Sequence, residues 1–226
     1  MTAITLLTGR VRNLPGCDTL SGIVKTPAGR PLLLGLEGLE GDEQADRRVH
    51  GGVEKALHHY PLDHYANWRL ELGQLPPLRA PGGFGENVST SGLTEATVAV
   101  GDMFRLGSAL IQVSQGRQPC WKLNRRFDVL DMARRVQQTG RTGWYYRVLE
   151  PGVVAPTDRL DLIDRIAPDW SLHRLWHVLY VDRLNLYELK GIAALDVLAE
   201  GWRKHAVRRL ESGRVEDWRK RLDGIA

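Results

Sequence analysis

Glycine is unevenly distributed along this chain of 226 residues, and the unevenness limits the folds open to it. Twenty of the 24 glycines lie at or before Gly152, and only Gly191, Gly201, Gly213 and Gly224 follow. Most of the prolines and many short apolar runs share the early part. Gly and Pro interrupt regular elements, so this part reads as short strands separated by turns. Candidate strands cover residues 5–11, 23–25, 97–100, 103–106, 110–113 and 160–166. The pair 103–106 and 110–113 reads as a hairpin across Gly107-Ser108-Ala109. Two helical stretches interrupt the pattern, 57–72 with Pro61 near its start and 129–138 closed by Gly140.

Beyond Pro168 the texture changes. Ser171 caps a helix on which Leu172, Leu175, Trp176 and Leu179 recur at helical spacing. Further helices are predicted over 184–194 and about 199–210, the latter with Trp202, Ala206 and Leu210 on one face. Trp176 and Trp202 read as core. The expectation is an α+β chain, mostly β, with a β-rich domain over 1–167 and a three-helix bundle over 168–226.

Composition removes several classes. With 42% apolar and 26% charged residues, most of the chain is expected to be ordered. No run approaches the roughly 18 apolar residues of a membrane-spanning helix. The first ten residues lack a basic segment and a cleavage signal, so a cytoplasmic location is the default expectation. Cys17 and Cys120 form no CxxC pair and are expected to be thiols. The net charge of +4 is too mild to argue for nucleic acid, although basic residues gather over 201–222.

Three segments carry chemistry-bearing residues. Residues 38–52, GLEGDEQADRRVHGG, form a polar, glycine-rich loop ending at His50, Gly51 and Gly52, with Lys55 close behind. Glycine pairs let main-chain N–H groups approach an anion, and Lys55 supplies a point charge; the same residues also suit solvated turns. Around Gly82-Gly83-Phe84-Gly85-Glu86-Asn87 the backbone is set to come close to something, and Asn87 both donates and accepts. The alternative there is a hairpin or Ω-loop. Ser114-Gln115-Gly116-Arg117-Gln118-Pro119-Cys120 follows an apolar strand, and a thiol beside Arg117 is favoured as thiolate, a soft ligand and a nucleophile. A buried cysteine packing as a small hydrophobe is the other reading. His58, His59 and His64 lack zinc-ligand spacing and read as histidines with satisfied rings.

Taken together, residues 38–52, the Phe84–Asn87 segment FGEN, the run GDMFRLGSALIQVSQGRQPC at 101–120 and GRTGWYYRVLEPG at 140–152 resemble the MOSC domain, related to the C-terminal part of molybdenum cofactor sulfurases. The likeness is greatest to the YiiM-like, stand-alone bacterial members, whose MOSC barrel is followed by a small 3-alpha domain. The resemblance implies a β-barrel-like fold that binds the molybdenum cofactor (Mo-molybdopterin). It makes Cys120 the metal-binding or sulfur-carrying residue. Lys55, Arg117 and the Gly51-Gly52 backbone would meet the cofactor's phosphate, with Arg126 or Arg141 in reach, and Asn87 and Gln115 would meet the pterin edge. Gly85, Glu86, Ser114 and Asn124 complete the implied set, and His50 would orient the loop or donate a proton.

The implied activity is reduction of N-hydroxylated compounds to amines. These include 6-N-hydroxylaminopurine-type base analogues, hydroxylamines and amidoximes. Two cysteines cannot build a four-cysteine cluster, so electrons would come from an external flavodoxin- or ferredoxin-like donor docked on the basic C-terminal region. A homodimer is compatible with the chain. The competing reading is a persulfide carrier on Cys120 that needs no molybdenum. Nucleic-acid binding through the Arg-rich tail is a third reading, which the mild charge disfavours.

Overall fold

The computed structural model describes residues 2–14, 17–46 and 51–224. Strands β1 (Thr2–Ala3), β2 (Thr5–Thr8), β3 (Arg12–Asn13), β4 (Leu20–Ser21), β5 (Thr26–Pro27), β6 (Leu32–Gly35) and β7 (Gly38–Leu39) come first. They are followed by β8 (Leu57–His59), β9 (Val88–Ser89), β10 (Asp102–Leu106), β11 (Ala109–Gly116), β12 (Trp144–Glu150), β13 (Gly152–Val154) and β14 (Arg159–Arg165). Nine of them form one curled half-barrel sheet in the order β1-β14-β10-β11-β12-β8-β9-β2-β5, and β13-β6-β7 form a smaller sheet. The fold is α+β.

The helices are α1 (Asp63–Leu72), α2 (Lys122–Phe127), α3 (Met132–Thr139), α4 (Leu172–Tyr180), α5 (Leu186–Ala193), α6 (Glu200–Ser212) and α7 (Arg219–Asp223). None among the described residues is long and apolar enough to cross a membrane.

The β10–β11 hairpin forms as the sequence indicates, but its turn is Gly107-Ser108 alone, and Ala109 already lies in β11 opposite Leu106. Its alternating burial puts Asp102, Phe104 and Leu106 inside. The stretch 57–72 divides: Leu57–His59 is a strand on β12, and the helix starts only at Asp63. Pro61 accounts for the division, because it has no N–H to give a helical turn. Residues 97–100 make a turn with one isolated bridge, Ala99 to Ser171, and not a strand. Residues 23–25 lie outside the strands as well.

In the C-terminal part the Ser171 hydroxyl accepts from Arg174 N (3.1 Å) and caps α4 as expected. Leu172, Leu175, Val178 and Leu179 are its buried face. Trp176 is only partly buried; its Nε1 donates to Gln137 O on α3 (2.6 Å). Trp202, by contrast, is core. One apolar cluster runs without a break from the sheet (Phe104, Ile111, Val113, Tyr146) into the bundle (Leu175, Val178, Ile192, Trp202). At Gly116 the sheet and bundle come so close that a Cβ would lie 2.9 Å from the Trp202 ring. A second cluster of Tyr60, Tyr65, Trp68, Leu78, Phe84, Leu123, Phe127, Met132 and Val136 packs beneath α1, α2 and α3.

Candidate functional site

A cleft of about 590 Å³ opens where β8, β12 and the loop after β11 meet the segments 21–25 and 42–45. Its floor is set by sheet register. His58 on β8 pairs with Tyr145 on β12, and their rings lie 5.0 Å apart. Arg117 continues the β11–β12 ladder through its N–H to Gly143 O (3.0 Å). Gly143 has φ +72°, and a Cβ there would lie 2.3 Å from His59 O. The close approach of the two strands therefore requires glycine.

The cleft wall holds cations. Arg117 is 5% exposed, and its Nη1 has no hydrogen-bond partner among the described residues. A buried guanidinium N–H without an acceptor is costly and marks a place where one belongs. Lys25, also buried, forms an ion pair with Asp42. Asp42 further accepts from Gly9 N (2.8 Å) and Gln44 Nε2 (3.0 Å). Lys55, on a 3₁₀ turn, and Lys122 complete the set, and burial lowers the Lys55 pKa. The lining acids are Asp42 and Glu43; Glu43 accepts from Val11 N (2.7 Å) and meets Arg10 at 3.6 Å. Among the described residues, four cations face two carboxylates in the cleft lining.

His58 is buried, and its Nε2 also lacks a partner. Burial first, then the Arg117 charge, hold its pKa well below the usual imidazole range, with a hydrogen bond at the Gly85 backbone opposing. A neutral ring with an unmet nitrogen thus faces the cleft, where the sequence suggested a satisfied one. Tyr145 has its pKa raised by burial, against the lowering effect of Arg117. Cys120, partly buried, brings the thiol. Among the described residues no three His, Cys, Asp or Glu side chains gather to hold a bare metal ion.

Of the residues singled out in sequence, Cys120, Arg117, Lys55, Gly85 and Asn87 line this cleft together. His50 lies outside the described residues. Asn87 is already engaged: Oδ1 accepts from His58 N (3.1 Å) and Nδ2 donates to Leu7 O (3.3 Å), so it joins strands instead of offering a free amide edge. Glu86 accepts from Gly82 N (2.7 Å), Phe84 N (3.0 Å) and the Tyr65 hydroxyl, and so folds its own loop.

Gly51 and Gly52 precede the Lys55 turn, where Gly52 O accepts from Lys55 N (2.8 Å), and stand outside the cleft lining. Ser114 Oγ lies 2.6 Å from Glu54 O and 3.1 Å from Tyr145 O, while Gln115 Nε2 donates to Gly116 O at 3.5 Å. Asn124 bonds Ala133 N (2.8 Å) and Leu222 O (2.9 Å). Arg141 pairs with Glu71 (2.6 Å) and lies over the Trp68 ring at 3.9 Å, and neither it nor Arg126 lines the cleft. Sequence reasoning passed over Lys25, Tyr145 and Lys122, and read His58 as a histidine with a satisfied ring. A lysine closing the apolar run Ile23-Val24-Lys25 was a readable signal for the first of these.

Known proteins resemble both parts of the chain. The MOSC domain model matches residues 46–161, which contain most of the cleft. The model of the YiiM-like, 3-alpha helix domain matches residues 170–213. The chain belongs to the MOSC family. Protein YiiM of Escherichia coli is 41% identical over 225 residues, covering 98% of each chain. A protein of Gibberella moniliformis named "Reductase" is 37% identical over 172 residues, which are 76% of this chain and 30% of that one. The crystal structure of YiiM from Escherichia coli superposes with a TM-score of 0.81 at 34% identity, covering 98% of both chains. This MOSC chain therefore shares both of its parts with YiiM.

Proposed function

We propose that this MOSC protein is a molybdenum-cofactor-dependent reductase of N-hydroxylated compounds. The observation that carries the reading is the convergence of one thiol, a surplus of cations and two unmet buried nitrogens on a single cleft. The residues fit such a group. A metal that arrives already chelated by a dithiolene needs one soft protein ligand, and Cys120 is the cleft's thiol. The cofactor's phosphate suits Arg117 and Lys55, with Lys25 nearby. The neutral His58 ring can exchange a hydrogen bond with a polar bicycle.

When bound, the cofactor supplies two-electron oxygen-atom chemistry. The balance is R–NHOH + 2 e⁻ + 2 H⁺ → R–NH₂ + H₂O. The chain's own residues hold the anion, present the thiol and shape the cleft. The neutral His58 ring and the protonated Tyr145 hydroxyl would hydrogen-bond the bound group, and the two protons of the balance would come from solvent. Electrons come from an external acidic donor protein. Four of the basic residues in the tail are already paired: Arg203 with Asp196, Lys204 with Glu200, Arg209 with Glu216 and Arg219 with Asp217. Docking then falls to Arg208, Arg214 and Lys220, and raising the salt concentration should slow donor-coupled turnover.

The deciding measurement is bound molybdenum and oxidised-pterin fluorescence in anaerobically purified protein, beside Cys120→Ala. The expected result is near-stoichiometric metal in the wild type and metal loss in the variant. Absence of both from a cofactor-competent host would overturn the reading, and transferable sulfur on Cys120 would then identify a persulfide carrier.

A further inference from the structure

Cys120 stands between two residues that are both held by Arg221. The Arg221 guanidinium donates through Nη1 to Pro119 O (2.5 Å). Its main-chain carbonyl accepts from the Trp121 N–H (2.8 Å). Its Nη2 donates to Gln137 Oε1 on α3 (2.6 Å), which anchors the grip in the barrel part of the molecule. The neighbours of Arg221 reinforce it. Leu222 O accepts from Asn124 Nδ2 (2.9 Å), and Asp223 takes two bonds from Arg134 (2.9 and 2.5 Å). Tyr180 OH accepts from Gln118 Nε2 (3.1 Å) on the other side of the loop.

The sheet gives this loop less. The β11–β12 ladder ends with the Arg117 N–H bond to Gly143 O, and the first helical bond of α2 is Leu123 N to Cys120 O. Between them Pro119 has no N–H to offer. The α7 helix lies beyond residue 213, where the match to the 3-alpha domain model stops.

We propose that Arg221 is a positioning residue for Cys120: by gripping the residue on each side, α7 sets where the sulfur stands in the cleft. The catalytic consequence rests on the reading of Cys120 as the cofactor's protein ligand; the grip itself does not. A planar guanidinium serves two acceptors at a fixed angle, which a lysine cannot reproduce. Such charge-assisted bonds are among the stronger ones a side chain makes.

The test uses full-length Arg221→Ala and Arg221→Lys, with Gln137→Ala as a milder variant that removes one acceptor and leaves the arginine in place. Arg221→Ala keeps the main-chain carbonyl that Trp121 N–H meets and frees Pro119 O, so in cofactor-free protein amide exchange at Trp121 should speed up several-fold through loosening of the loop, while β11 and β12 amides keep wild-type protection. Alkylation of Cys120 by a neutral maleimide should rise several-fold with Cys17 unchanged, and Arg221→Lys should fall between. In loaded protein, kcat should drop at nearly constant KM, and molybdenum X-ray absorption should show a less uniform set of sulfur ligands. Unchanged Trp121 exchange and Cys120 alkylation would overturn the proposal, as would equal acceleration of every amide, which marks a general staple of the fold. Retention of molybdenum by Cys120→Ala would defeat the ligand reading alone, leaving the exchange and alkylation arms to decide the grip.

Discussion

His58 and Tyr145 reach the cleft from neighbouring strands in direct register, whereas Cys120 reaches it from a loop whose principal restraint, Arg221, lies 102 positions beyond Pro119. The first side is a wall. Its side chains project from a sheet whose ladder and core fix them, with Trp144, Tyr146 and His59 all fully buried behind. The second side is a suspended loop, whose position depends on a helix of five residues and the bundle that delivers it. The contrast teaches that one cleft can combine a rigid binding surface with a reactive group under separate control.

The largest effect is expected from breaking the wall. Gly143→Ala places a Cβ 2.3 Å from His59 O and 3.1 Å from His58 Nε2, at φ +72°. Left-handed strain and overlap together should cost about 4 kcal/mol, lowering the thermal midpoint by roughly 10 °C. A midpoint within a degree or two of wild type would show the wall to be softer than its ladder implies.

Next comes the bundle that carries the loop's restraint. Arg209 is 2% exposed and depends on Glu216 (2.7 Å), which also meets His205 (3.0 Å). Glu216→Ala leaves a buried guanidinium uncompensated, at a cost of about 2 kcal/mol once water access to the carboxylate is allowed for. Urea unfolding measures the loss. The comparison is sharpened by amide exchange at Trp121, which should respond to this variant and not to Gly143→Ala; the reverse pattern would refute the division.

Acid should act on the wall. His59 is held at a pKa of about 3 by burial, and His58 is depressed too. Both stay neutral when folded, while the unfolded chain takes up protons below about pH 6.5, so stability falls as pH drops through that value. Each histidine contributes about 1.4 kcal/mol per pH unit. Glu86, raised by burial, works in the opposite sense above its ordinary value. Glu86 offsets part of the loss from the two histidines, so stability is expected to fall between pH 6 and 5. A urea midpoint that holds steady over that interval would contradict the assignment.

The smallest effect belongs to exposed charge on the bundle. Lys204 and Glu200 pair at 2.8 Å on α6 with both side chains largely in water. Lys204→Ala should leave the urea midpoint within error of wild type and the loop untouched.

The parts legible in the sequence are those whose cues are local. The β10–β11 hairpin, the Ser171 cap and the nearness of Arg117 to Cys120 each need only a few consecutive residues. His58 was misread because Leu57–His59 and α1 merge into one apolar stretch, and only the Pro61 break and the pairing with β12 put the ring into the cleft. Asn87 was read as a binding amide because its capacity to donate and accept is visible in sequence, whereas the strands that use up that capacity are not. Lys25 needed knowledge of Asp42, and the Arg221 grip needed a contact across 102 positions. Such partners are set by tertiary packing, to which periodicity and turn chemistry are blind.

The restraint on Cys120 also fixes an order of events during synthesis. At a ribosomal rate of about 5–20 residues per second, the 102 residues separating Pro119 from Arg221 take roughly 5–20 s to emerge. Through that interval β10 and β11 can pair while the thiol loop lacks the Arg221 bonds and has only those to earlier residues, such as Arg117 N–H to Gly143 O and Gln118 Nε2 to the Tyr180 hydroxyl. A nascent chain thus carries its strand-borne wall before Cys120 is set, and the last restraint on the loop waits for translation to reach α7.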